Sequence, residues 1–474
     1  MRKIFAAVAM AATVLAALPS PAGARAYDPG LPGLPADLVA QDVSFRGSGG
    51  LDLRGSVISP ANARAGRAGL VLVHGAGAGT PREKLLAEAV AFARQGLSVL
   101  VHDKRSEGYS LFTRSYSQLA DDTLAAVELL RKQPGVDPGK VGVWGLSEGG
   151  WVAPLAASRS KDIAFVMVVG ANSLQPLRQQ AWAVAAGLRK AGVEGSLVER
   201  TEPTLYRAIA DGGMFPEPYY DPEAVLMRVR QPVLAIWGVH DLLTPPRETP
   251  PVFAAALERG GNKAYTLRFF ADADHAAHRT PDGGVTRLPE LAPGYAELVG
   301  SWVGEATSGS APVARISGPA PVQADDSVGV PPAEWWESAL VQVVALVMLL
   351  VAFGGYPVVA LVRRVRGRRD VEVVKAARTA CAAGLAVVAG AFSYVFYVIM
   401  TGGKLAAPGP LVAGRPAVWL ALQALAVLTV VAAVMTGVRW RRIAATGERV
   451  RLGLVVAGGA VFLLWALYWG LLLP

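Results

Sequence analysis

The sequence predicts an α/β fold: a mostly parallel sheet with helices on both faces and a helical lid, followed by a four-helix transmembrane region. Three observations predict it. Between residues 68 and 303, short apolar runs alternate with segments of helical patterning. A single long insertion, residues 173–230, interrupts that rhythm. The last third of the chain holds four apolar runs of about 20 residues, the length that crosses a bilayer.

The N-terminus reads as a secretory signal over residues 1–26. Arg2 and Lys3 precede an apolar stretch from Ile4 to Leu18, and both Ala22-Gly23-Ala24 and Ala24-Arg25-Ala26 fit the small-residue cleavage pattern. The following part, 27–305, is then sent across the membrane. The only cysteine, Cys381, lies in a later apolar run, so no intramolecular disulfide can brace that part.

Residues 42–59 read as an opening antiparallel pair. Ala68 to His74 is a buried strand that ends in the glycine-rich turn Gly75-Ala76-Gly77-Ala78-Gly79, and Thr80-Pro81-Arg82-Glu83 carries a capping-box pattern that opens a helix. Leu97–His102 is a strand and Gln118–Lys132 a helix. The strand Val141–Leu146 runs into Gly145-Leu146-Ser147-Glu148-Gly149, and a helix follows Ser147. Ile163–Val169, Val233–Trp237 and Tyr265–Phe270 are further strands, and Tyr295–Val303 closes with a helix. Inside the insertion, helical patterning marks Gln179–Lys190 and Glu223–Arg230. The segment reads as a lid whose aromatics Trp182, Tyr206, Phe215, Tyr219 and Tyr220 either select substrate or fill the lid's own core.

Residues 306–336, rich in Pro, Ala, Ser and Gly, read as a flexible linker with an r.m.s. span of roughly 30 Å. The membrane domain, 337–474, is expected to cross at about 339–362, 380–400, 417–438 and 452–473. The net charge of +9 resolves by position. Residues 338–474 carry 14 Lys and Arg against 3 Asp and Glu, whereas residues 1–337 carry 32 against 34. The basic surplus sits between apolar runs, which points to membrane topology and the lipid bilayer as partner, not to nucleic acid. The first and third connections hold the arginine clusters (363–369 and 439–451) and are expected to be cytoplasmic. Residues 27–337 then lie outside, as the signal also requires. None of the expected spans contains Asp, Glu, Lys, Arg or His, which disfavours transport.

The order of strands, the turn HGAGAG, the motif GLSEGG, the stretch VHDLLTPP and the late DADHAAH together resemble the α/β-hydrolase family. The stretch VHDKRSEGYS resembles the D-K-R-G-x-G-x-S segment of serine aminopeptidase and dienelactone hydrolase relatives, with Ser106 where those sequences usually have glycine. The resemblance covers roughly residues 40–305. It implies Ser147 as nucleophile on a strained strand-to-helix turn, with Gly145 and Gly149 sparing a backbone collision. The N–H of Glu148 and a second N–H, expected at Ala76 between Gly75 and Gly77, would bind an oxyanion. A base must follow in the chain order Ser, acid, His. His275 and His278 both follow the last strand, and the Asp274-His275 pair matches the family better. Asp241 ends the preceding strand and fits as the acid; Asp272 and Asp274 are too close in sequence to His275 for easy geometry. His74 and His102 read as packing residues, and His240 as a neighbour of the acid.

No cofactor and no metal is expected; a loose cluster of His240, Asp241, Asp274, His275 and His278 is the only rival metal reading. The resulting expectation is a membrane-anchored, extracytoplasmic serine hydrolase acting on an ester, thioester or amide of a small molecule or peptide. The alternative is a non-catalytic binding or sensory protein that retains a hydrolase-like ectodomain.

Overall fold

A computed structural model describes residues 31–474 except 32, 63, 111, 310–311, 368–373, 401–407, 441 and 444–445. The proposed signal over 1–26 therefore lies outside the described residues. The chain divides into two compact units. One comprises the chain through Ala183 together with Gly213–Val328; the other comprises Val184–Gly212 and Gly329–Pro474.

The first unit is built on a nine-stranded sheet: β1 (Leu38–Arg46), β2 (Asp52–Pro60), β3 (Arg67–Val73), β4 (Ser98–His102), β5 (Val136–Leu146), β6 (Val166–Val169), β7 (Val233–Gly238), β8 (Tyr265–Phe270) and β9 (Arg315–Ser317). Their spatial order is β1-β2-β4-β3-β5-β6-β7-β8-β9. β1 pairs antiparallel with β2, and β2 antiparallel with β4; every later pairing is parallel. Among the central strands β6 and β7 are apolar throughout, because helices cover both faces. β4, β6 and β7 are buried at every residue.

One face carries α1 (Leu86–Arg94) and the closing helix α8 (Tyr295–Thr307), with Phe92, Trp144, Phe165, Tyr295 and Trp302 in its core. The other carries α2 (Tyr116–Arg131), α3 (Gly149–Arg159), α6 (Pro222–Leu226) and α7 (Thr249–Arg259), packed around Val143, Trp151, Trp237 and Phe253. Two buried indoles of this unit keep a partner: Trp144 Nε1 donates to the Tyr295 hydroxyl at 2.9 Å and Trp237 Nε1 to the Ala171 carbonyl at 2.9 Å.

Two expectations are corrected. The capping box at Thr80 does not form. The Thr80 hydroxyl donates to the Gly77 carbonyl instead, a 3₁₀ turn runs over Arg82–Leu85, and α1 starts only at Leu86. The glycine-rich turn thus captures the hydroxyl that would have capped the helix. The linker is not a free coil. Arg315–Ser317 adds β9 to the exposed edge of β8, whose backbone groups otherwise lack partners. Beyond it, the Val322 N–H donates to the Val239 carbonyl, Gln323 Oε1 accepts from the Arg247 N–H, and Ser327 bonds both Glu248 and Arg178.

The second unit holds four long apolar helices, Ala339–Val365, Lys375–Ile399, Ala417–Trp440 and Thr446–Tyr468, of 27, 25, 24 and 23 residues. Each exceeds the roughly 20 residues that a bilayer core requires. Small residues let them pack closely: a Cβ on Gly384 would strike the Phe353 ring, and one on Gly459 would lie 2.4 Å from Ala433 Cβ.

The insertion is divided. Its first and last parts fold with the sheet, but Val184–Gly212 folds with the spans. There, the Glu194 N–H donates to the Gly414 carbonyl at 2.7 Å, and the Ser196 N–H to the Pro474 carbonyl at 3.0 Å. Trp419 Nε1 donates to Ser196 Oγ, Thr201 Oγ1 to the Trp469 carbonyl, and Arg207 pairs with Glu337. Every one of these partners lies at one end of the bundle. The Arg363–Glu448–Arg451 ion pairs lie at the other.

Candidate active site

Ser147 sits between the end of β5 and the start of α3 with φ of 56°, a left-handed conformation that few non-glycine residues adopt. Its flanking glycines are required by close backbone approach. A Cβ on Gly145 would lie 2.0 Å from the Gly149 carbonyl oxygen, and one on Gly149 would lie 2.6 Å from the Val73 oxygen. The Ser147 N–H donates to the Val169 carbonyl at 2.9 Å, so the turn is tied to the end of β6.

The His275 ring lies beside Gly170, just past the end of β6. A Cβ on Gly170, the residue after Val169, would stand 2.7 Å from both Nδ1 and Cε1 of His275. The Ser147 N–H and the His275 ring thus both lie against the Val169–Gly170 segment, and a side chain at Gly170 would collide with the His275 carbonyl and with its ring. Gly170 has φ of 55° as well. Sequence reasoning missed it, although a glycine directly after a buried strand was a usable signal.

His275 Nδ1 lies 2.9 Å from both carboxylate oxygens of Asp241, which is fully buried. Asp241 Oδ1 also accepts the N–H groups of Leu243 and Thr244, and the Thr244 hydroxyl donates to the Gly170 carbonyl at 3.0 Å. These bonds fix the acid, the ring and the β6 end relative to one another. His275 Nε2 is buried, and among the described residues it has no hydrogen-bond partner.

On the opposite side of Ser147 lies the glycine-rich turn. A Cβ on Gly75 would be 3.4 Å from Ser147 Cβ. Among the described residues, no acceptor takes the N–H of Ala76 or of Glu148. The Glu148 side chain is buried in a charged cluster that sequence reasoning did not foresee. Its carboxylate pairs with Lys104, with Arg114 at 2.7 Å and with the Tyr109 hydroxyl at 2.9 Å. Burial opposes the charge of Glu148, but the two cations outweigh it and hold the carboxyl below its usual value. Burial, with Glu148 adding to it, pushes the Tyr109 phenol up to about 12, so it keeps its proton. Lys104 and Tyr109 belong to the VHDKRSEGYS stretch. Ser106 is not among its left-handed residues, so glycine is not needed there.

The remaining candidates have structural partners. His74 Nε2 contacts the His102 carbonyl, and His102 Nδ1 the Asp103 carbonyl. His278 meets Glu88 at 3.1 Å. Asp274 accepts from the Ala276 and His278 N–H groups and pairs with Arg287, which shapes the loop carrying His275. The Arg105 guanidinium grips Asp122 through two buried bonds. Of the lid aromatics, Tyr220 packs its ring 4.8 Å from that of Tyr116, and Trp182 bonds the Asp325 carbonyl.

Residues 112–289 match the Prolyl oligopeptidase family. The chain is 35% identical over 134 residues to the thiohydrolase aneE of Aspergillus aculeatus, covering 27% of this chain and 40% of that protein. It is 31% identical over 140 residues to the polyketide transferase claH of Penicillium crustosum, covering 27% and 44%. The chain thus spans less than half the length of these curated relatives. Among solved structures it is similar to the carboxylesterase EstE1, cloned from a metagenomic library, at 21% identity and a TM-score of 0.41, covering 56% of this chain and 89% of that one. The sheet order and the match over residues 112–289 carry one conclusion: the globular part of this chain has an α/β-hydrolase fold.

Proposed function

We propose that the chain is a membrane-anchored, extracytoplasmic serine hydrolase that cleaves an ester, thioester or amide through an acyl-enzyme. One observation carries this reading: a strained serine and an acid-paired imidazole with an unoccupied Nε2 are packed against one peptide, Val169–Gly170. In this reading Ser147 Oγ attacks the carbonyl carbon and its proton passes to His275 Nε2. Asp241 orients the ring and stabilises the imidazolium. The N–H groups of Ala76 and Glu148 bind the oxygen that becomes negative. Collapse expels the leaving group, which takes the proton from Nε2, and water repeats the sequence to release the acid.

The side of the membrane is supported by two features of the spans. Their arginine-rich connections are those expected on the cytoplasmic side, and within the same unit Val184–Gly212 bonds to the opposite end of the bundle. Substrate class is bounded by analogy alone: the relatives are a thiohydrolase and a polyketide transferase, so thioesters lead the panel. The test is turnover by the full-length protein in detergent of short and medium acyl thioesters, esters and aminoacyl amides. Turnover by the wild type that disappears in Ser147→Ala is expected. Equal rates for the two proteins would refute the assignment.

A further inference from the structure

The peptide groups on either side of Ala76 are both held by the cluster around Glu148. Lys104 Nζ donates to the Gly75 carbonyl at 2.6 Å and also pairs with Glu148. The Tyr109 hydroxyl accepts the Gly77 N–H at 3.2 Å and donates to Glu148. Arg114 bonds the carboxylate's other oxygen, and the Lys104 ammonium also sits 4.3 Å from the Tyr109 ring centre. Glu148 is 2% exposed and Lys104 6%.

Such a cluster is expensive to bury, and a surface loop has no need of it. The turn it grips would be loose without it: Gly77 and Gly79 have φ of 146° and 57°, and the unfolded chain samples such glycines freely. An oxyanion donor accelerates reaction only if it is already aimed before charge develops.

We propose that Lys104, Tyr109 and Glu148, braced by Arg114, are positioning residues that fix the Ala76 N–H for the oxyanion. The proposal rests on the serine-hydrolase reading above. Glu148 then acts twice: its own N–H is one donor, and its carboxylate, through Lys104 and Tyr109, aligns the other. The two halves of the oxyanion site are thereby coupled through a single residue, which accounts for a glutamate directly after the nucleophile.

The test uses the full-length protein in detergent with a substrate that the wild type turns over, and a boronic acid as a tetrahedral mimic. Tyr109→Phe removes one hydroxyl and little packing; Glu148→Gln removes the charge. The expected result is a drop in kcat of about tenfold for Tyr109→Phe and up to about a hundredfold for Glu148→Gln, below or near the loss of a whole donor. KM should stay within about twofold, and boronate affinity should fall in step with kcat/KM. The double variant should be no worse than Glu148→Gln, because both act on one loop. A packing defect would lower the melting temperature without that parallel loss of boronate affinity. Two folded variants with kcat within twofold of wild type, or with unchanged boronate affinity, would overturn the clamp while leaving the nucleophile assignment intact. A wild type that neither turns over substrate nor reacts with a fluorophosphonate would overturn both.

Discussion

The two sides of Ser147 solve different electrostatic problems. On the base side a single buried acid, Asp241, faces one imidazole and two backbone N–H groups, and among the described residues it is paired with no Lys or Arg. In the proposed mechanism its charge is matched when His275 takes the proton from Ser147. On the oxyanion side Glu148 is matched at all times by Lys104 and Arg114. In the proposed mechanism the first arrangement stabilises a charge that comes and goes, and the second holds a backbone still. That difference predicts how each side fails when altered.

Removing the nucleophile, Ser147→Ala, is expected to lower kcat by about 10⁶, measured by single-turnover kinetics. Asp241→Asn should lower kcat by about 10⁴ with little change in melting temperature, since it keeps the shape but favours the wrong imidazole tautomer. A loss of only tenfold would place the acid elsewhere. Gly170→Ala should come next. The new methyl would stand 2.4 Å from the His275 carbonyl and 2.7 Å from its ring on a left-handed backbone, so the His275 loop and ring must both move. An ångström of misplacement corresponds to about 10² in kcat. On the oxyanion side the losses are smaller, as given for Tyr109→Phe and Glu148→Gln.

Smallest is the pH dependence of stability, set by imidazoles outside the reacting set. Burial, with His102 adding to it, lowers His74 to about 3, and burial also lowers His102. The unfolded chain therefore binds their protons first, and stability falls as pH drops below about 6.5. His278 is shifted the other way. Burial works against its charge, but Glu88 outweighs it and raises the pKa. Its contribution is full below about 6.5 and is lost as pH rises through the folded value. These three residues together favour a stability maximum near pH 6.5, checked by thermal melting in matched buffers. His278→Gln should remove the decline on the alkaline side and leave the acid side unchanged.

The pairing of Asp241 with His275 was legible in the sequence, because it depends on chain order. A nucleophile turn, an acid after β7 and a histidine after β8 are positions along a strand-helix rhythm, and that rhythm follows from apolar runs alone. The nine-stranded order confirms the alternating reading from Ala68 onward. The oxyanion side was legible only in its backbone. Lys104, Tyr109 and Arg114 stand 34–44 residues from Glu148, and nothing local says that they converge. β9 was hidden for a similar reason. Arg315-Ile316-Ser317 is short and polar, and it becomes a strand because β8 offers an open edge. The division of the insertion was invisible too: Ser196 and Thr201 find partners more than 220 residues away, at Trp419 and Trp469.

The central claim is that Ser147 forms a covalent acyl-enzyme. Full-length protein treated with a fluorophosphonate, digested and mapped by mass spectrometry, tests it most directly. The account predicts one adduct, on the peptide containing Ser147, that is absent from Ser147→Ala and slowed severely in Asp241→Asn. An adduct on another serine that persists in Ser147→Ala would contradict it.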